Sequence, residues 1–153
     1  MPAGTTRRER CRRSRRRVRR EDGAAAIEFA LIVPVLVLLL FGLIEFGMAF
    51  LQVQSIRAGV REGGRAAAVG AQVSTTQQRT VSGSVGAIPS GHAGLIQVQS
   101  SEGGRCTPQN IGSDVTVSYN TANLPGGGVV VQIPLIPDIV IDPVIKASFR
   151  CEV

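Results

Sequence analysis

From Ala24 to Ile44 the chain runs twenty-one residues with a single charge, Glu28. As an α-helix at ~1.5 Å per residue this run is about 31 Å long, the thickness of a bilayer's hydrocarbon core. A soluble surface helix needs a polar face, and none develops here before Glu45. The run therefore predicts a transmembrane helix, and the rest of the chain must be read from its two ends. Glu28 is the anomaly, because a charge inside an apolar span costs at least ~2.5–3.5 kcal/mol on insertion scales. A plain anchor has no use for it.

Ten arginines lie between Arg7 and Arg20, just ahead of the run. Set against Glu9, Glu21 and Asp22, they give residues 1–23 a net charge of +7, while the remainder carries seven basic and eight acidic residues. The basic character thus belongs to the leader. A basic tail can bind nucleic acid, but beside an apolar span it reads as a topology signal, and no nucleic-acid partner is expected. It holds the N-terminus in the cytoplasm and places residues after about Phe50 outside. A secretory signal peptide would have a shorter apolar core. Ser14-Arg15-Arg16 matches a twin-arginine signal only as any dense arginine tract would.

Three regions follow. Residues 1–23 form an arginine-rich cytoplasmic leader, expected to lack structure. Residues 24–72 read as one helix that crosses the membrane, with Pro34 inside the span, and continues beyond it. Residues 73–153 form a small extracytoplasmic domain. On the helix extension, Arg57, Arg61 and Arg65 recur every four residues and share a face, as do Gly59, Gly63 and Ala67 on another. Each glycine weakens a helix by ~1 kcal/mol relative to alanine. A closely approaching backbone would offset that cost. Ser74-Thr75-Thr76-Gln77 has the form of a capping box opening a short helix, with Pro89-Ser90-Gly91 as its stop. Segments 95–99, 115–119, 129–133, 139–141 and 144–149 are strand-like. The expected class is α+β: a long N-terminal transmembrane helix leading into a small domain with an antiparallel β-sheet of three or four strands packed on it.

Cys11 falls in the cytoplasmic leader, where thiols stay reduced. Cys106 and Cys151 fall on the oxidising side, in a domain of roughly 80 residues whose core is marginal by size. A bridge between them is expected, worth about 4 kcal/mol in the chain-entropy view; the alternative is two buried free thiols. Two cysteines and one histidine without ligand-pair spacing do not make a structural metal site. His92, the sole histidine, lies between Gly91 and Gly94 and is expected to be a solvated turn residue. No nucleophile, phosphate-loop, dinucleotide or zinc-protease motif is present. Glu28 and Glu45 stand seventeen residues apart, ~25 Å along a helix, too far to work as a pair. No catalytic residue, cofactor or metal is expected.

Gly23, four small or apolar residues, and then Glu28-Phe29 heading an apolar helix resemble the processing site of type IV prepilins. Ile44-Glu45-Phe46-Gly47, with Arg61-Glu62-Gly63-Gly64-Arg65-Ala66-Ala67-Ala68 after it, is similar to the TadE-like family of the tight-adherence pilus system. Val115-Thr116-Val117-Ser118-Tyr119 and Ile145-Lys146-Ala147-Ser148-Phe149-Arg150 resemble that family's C-terminal strands. The arginine leader is denser than the family pattern. The resemblance implies a minor pilin or pseudopilin that works with other pilins and pilus assembly components in the cell membrane. A prepilin peptidase would cut after Gly23, leaving Ala24 as the new N-terminus and Glu28 as the fifth residue, followed by Phe29. Glu28, Glu45, Arg61, Glu62, Gly63 and Arg65 are then the residues expected to serve assembly. The competing reading is an unprocessed single-pass protein whose outer domain binds a partner or ligand; a secreted enzyme behind a long signal ranks third.

Overall fold

The computed structural model describes residues 7–100 and 103–152, and side chains from residue 23 onward. The chain divides into two compact units at Phe41 and Gly42, and helix α1 (Arg7–Ala68) contributes to both. The arginine tract, expected from composition to lack structure, is helical from Arg7. Arginine is among the better helix formers, and the apolar helix beside it removes the cost of nucleation. Cys11 belongs to the part of the leader whose side chains lie outside the described residues.

In the first unit the helix buries no side chain from Gly23 to Phe41. Leu31 is 71 % exposed and Phe29 69 %. Pro34 is accommodated within the helix.

In the second unit the same helix acquires a buried stripe. Ile56, Gly59, Val60, Gly63, Gly64, Ala67 and Ala68 are all buried, at the three- and four-residue spacing of one helix face. Arg57, Arg61 and Arg65 are exposed on the other side. The helix closes on a left-handed glycine, Gly70 (φ 82°). Gly70 N–H donates to the Ala67 carbonyl (3.0 Å) and Ala71 N–H to the Ala66 carbonyl (3.1 Å). This is a Schellman cap, and it stops the helix at Ala68, short of the expected 72.

Helix α2 (Val73–Gly83) turns back onto the glycine stripe. Its buried Thr76 and Thr80, with Ser84 at its C-cap, recur every four residues. A Cβ added at Gly59 would run into the Thr80 carbonyl, with Ser84 N at 2.8 Å, and one at Gly63 would collide with the Thr80 hydroxyl. The backbone expected to approach the stripe is therefore α2 of the same chain. The capping box does not form: Gln72 is the N-cap, without a side-chain cap bond, and Ser74 already lies in the first turn. The helix also stops at Gly83, before the expected Pro89. There the Ser84 hydroxyl donates to the Val81 carbonyl (2.6 Å) and accepts from Ile88 N–H (3.2 Å).

A short 3-10 helix, Ser90–Leu95, leads into the strands β1 (Gln97–Gln99), β2 (Asp114–Asn120), β3 (Val129–Val131), β4 (Ile139–Ile141) and β5 (Val144–Arg150). They form two sheets where one was expected: an antiparallel sheet in the order β1-β2-β5 and a separate β3-β4 ribbon. The prolines explain the split. Pro134, Pro137 and Pro143 flank β4 and supply no ladder N–H, so this segment is kept short and outside the main sheet. In β2, Val115, Val117 and Tyr119 alternate inward and are fully buried. Tyr119 is paired with Ile145, and Val117 with Ala147, across to β5. With Ile56 and Val60 they form the centre of one core. Burying each such side chain contributes ~1.5–3 kcal/mol.

The C-terminus is tied to this core twice. Cys106 and Cys151 form the expected disulfide, with Cα atoms 5.3 Å apart. Glu152 N–H donates to the Ala68 carbonyl (3.1 Å), satisfying an orphan acceptor at the end of α1. Asn110 organises the loop between the bridge and β2: its Oδ1 accepts from Thr107 N–H (2.6 Å) and its Nδ2 donates to the Arg105 carbonyl (3.1 Å).

Candidate functional site

Gly23, Ala24, Glu28 and Phe29 all lie on the exposed first half of α1. A Cβ added at Gly23 meets nothing within 4 Å, so local packing does not require glycine there. The bond that follows it is helical, and glycine weakens the helix at that point by ~1 kcal/mol relative to alanine. Glu28 has no hydrogen bond or ion pair among the described residues. Its carboxylate sits one helical turn beyond Ala24 and is turned to whatever surrounds the helix.

The other residues expected to serve assembly do not converge with Glu28 or form a single cluster. Glu45 is half-buried where α1 enters the second unit. Gly63 is buried beneath α2. The Glu62 carboxylate accepts from the Arg79 guanidinium on α2 at 3.3 Å. Arg61 and Arg65 point away from that contact and are exposed. The Arg-Glu-Gly segment thus has two faces, one closing the domain on α2 and one presented outward.

Two features were not visible in the sequence. His92, expected to be solvated, is half-buried, and its Nδ1 lies 3.0 Å from the Tyr119 hydroxyl. Burial pushes the Tyr119 phenol above its ordinary pKa. The histidine is placed by a 3-10 turn, which no local motif announced. Second, Arg57 and Arg61 on α1 line a groove with Pro143, Val144, Ile145 and Lys146 of β5 and the turn before it. The arginine stripe was legible, but Lys146 joins it only through the sheet. Among the described residues no group of three or more His, Cys, Asp or Glu side chains is placed to hold a metal ion.

The segment from Gly23 to Ala68 is long and apolar enough to cross a membrane, and its most apolar stretch is unburied. No curated protein and no solved structure matches the chain significantly. The family described as TadE-like protein matches residues 23–65. That stretch starts at the glycine of the junction and ends on Arg65 of the Arg-Glu-Gly segment. Across the junction, the apolar span and the helix extension, this chain is similar to the TadE-like family.

Proposed function

We propose that the chain is a minor pilin or pseudopilin, cut after Gly23 by a prepilin peptidase and used in assembling tight-adherence pili. The family match supports a pilus-related role, and the unburied apolar helix supports a membrane anchor. TadE-like pilins are in general not enzymes, and in this reading the chain works by packing. The observation that carries it is the conjunction at the junction. Gly23 has no packing reason to be glycine, and an unpartnered carboxylate follows at Glu28, on a helix with no protein cover.

The chemistry follows from charge. The leader keeps the N-terminus in the cytoplasm, and the β-rich domain lies outside. Cleavage removes the +7 leader and leaves one positive α-amine at Ala24. In a low-dielectric setting neither that amine nor Glu28 is stable alone, and each is the other's complement. A helix stacked beside it with an axial offset brings one subunit's Glu28 to another's Ala24, which fixes register as well as charge.

N-terminal sequencing of the protein from membranes tests processing. Ala24 is the expected first residue; an intact leader overturns this reading and leaves an unprocessed single-pass protein. Glu28→Gln tests the pairing. The variant should be processed and inserted normally and assemble poorly, and normal pilus formation would remove the pairing role while leaving cleavage intact.

A further inference from the structure

The groove beside the helix extension has a volume of about 320 Å³ and is lined by Arg57, Arg61, Pro143, Val144, Ile145 and Lys146. Its three cations come from two elements. Arg57 and Arg61 stand one helical turn apart on α1, and Lys146 comes from β5. None of the three has an ion-pair partner among the described residues; the single ion pair there joins Arg79 to Glu62. Three cations with no ion-pair partner among the described residues, set beside Pro143 and Val144, call for an anionic ligand with an apolar body.

The same unit exposes a segment of the complementary kind. β4 is Ile139-Val140-Ile141, and its side chains are 48 %, 49 % and 43 % exposed. An acid stands at each end: Asp138, held by the Gln132 amide at 3.1 Å, and Asp142, exposed and unpaired among the described residues. Pairing with β3 leaves these three bulky apolar residues about half exposed, and such a patch marks a contact surface. Ile139 and Ile141 share one face of the strand, and that face, with a carboxylate at each end, complements a groove in which Pro143 and Val144 lie among three cations.

We propose that the groove of one chain receives the Asp138-to-Asp142 segment of a second copy. Groove and segment adjoin along residues 138–146, so a two-fold pair would let each copy donate and receive at once. A lipid headgroup fits the position less well. Arg57 lies six residues, ~9 Å, beyond Leu51, the last exposed large apolar residue on α1, whereas a headgroup layer is only ~5–8 Å deep. The contact depends on the β-rich domain and not on leader cleavage, so the two proposals fail separately.

Charge reversal with reciprocal rescue is the test, on full-length protein in neutral detergent, with self-association followed by sedimentation and by energy transfer between labelled copies. Arg57→Glu/Arg61→Glu should weaken association at least tenfold, and Asp138→Lys/Asp142→Lys should do the same. Mixed together, the two variants should associate again, because both contacts of the pair regain opposite charges. Wild-type association should also weaken as salt is raised. Asp142→Lys alone serves if loss of the Gln132 contact disturbs folding, and an intact Cys106–Cys151 bridge reports that each variant has folded. Unchanged association in both charge variants overturns the proposal. So does loss on the arginine side without rescue by the lysine variant, and so does association that requires anionic lipid and ignores the Asp142 change; the last would assign the groove to a headgroup.

Discussion

Between Gly23 and Phe41 helix α1 buries nothing, whereas between Ile56 and Ala68 it buries a residue every three or four positions. The first stretch is apolar on every side beyond Glu28. The second alternates a glycine–alanine stripe with an arginine stripe. Both are helical, but for different reasons. In the first, backbone hydrogen bonds close within the segment, which is the requirement lipid imposes. In the second, helix propensity is poor, with glycines at 59, 63 and 64, and tertiary packing holds it. Glycine therefore means different things on the two halves. Gly42 and Gly47 have nothing within 4 Å of an added Cβ, while Gly59 and Gly63 have a helix pressed against them.

Substitution at those glycines breaks the comparison most sharply. Gly63→Leu should prevent α2 from docking and cost upwards of ~4 kcal/mol, at the far end of single-site effects, because overpacking and a displaced helix combine. Gly47→Leu should leave the fold of the β-rich domain unchanged. Limited proteolysis of α2 and thermal unfolding in detergent report both. Equal tolerance at the two positions would mean that α2 does not lie on the stripe.

The disulfide comes next. Removing it by Cys106→Ser/Cys151→Ser should destabilise the β-rich domain by about 4 kcal/mol in the chain-entropy view, given the 45-residue separation. The first half of α1 should be indifferent, since its hydrogen bonds are local. Helicity that survives in the span while the β-rich domain melts early would show the two regions to be energetically separate.

Much of this division was legible beforehand. The span, the arginine face, the glycine stripe and the cysteine pair each rest on local pattern or compartment, and the family resemblance to residues 23–65 rests on motifs of the same kind. What was not legible depended on partners distant in sequence. The separate β3–β4 ribbon is set by prolines that also permit a single twisted sheet. The His92–Tyr119 contact joins residues 27 apart through a 3-10 turn with no strong signature. Gly70 was the missed stop signal: a glycine after an alanine run near the end of a helix is the expected C-cap, and reading past it gave an end at 72.

A third, smaller effect concerns the core of the second unit alone. Tyr119 is the sole tyrosine and the chain has no tryptophan, so absorbance near 295 nm titrates this residue without interference. Burial holds the neutral phenol and raises its pKa in the folded state. The unfolded chain ionises near pH 10, so folded protein binds the proton more tightly. The corresponding stability is complete below pH 10 and is lost as pH climbs from there through the folded value, with a limiting slope of ~1.4 kcal/mol per pH unit. Denaturation midpoints should fall above pH 10 in step with the optical titration. Tyr119→Phe should remove that dependence and cost ~1 kcal/mol at neutral pH through the lost His92 hydrogen bond. A phenol that titrates at its ordinary pH in folded protein would contradict its burial.

The smallest effect separates the two faces of the Arg-Glu-Gly segment. Glu62 and Arg79 join α1 to α2 at 3.3 Å, but their side chains are 42 % and 58 % exposed. Water screens such a pair, and exposed pairs of this kind contribute ~0.2–1 kcal/mol. Glu62→Gln keeps the volume and an acceptor oxygen, so the β-rich domain should lose at most a few tenths of a kcal/mol. Arg79→Gln should match it, since each removes the same bond. Pilus assembly then decides what the carboxylate is for. If Glu62 acts only inside the domain, both variants should assemble alike and nearly normally. If its carboxylate also meets another subunit, Glu62→Gln should impair assembly while Arg79→Gln does not, with equal unfolding midpoints. Equal impairment in both would return the effect to the contact between α1 and α2, and with it the whole role of Glu62 to packing.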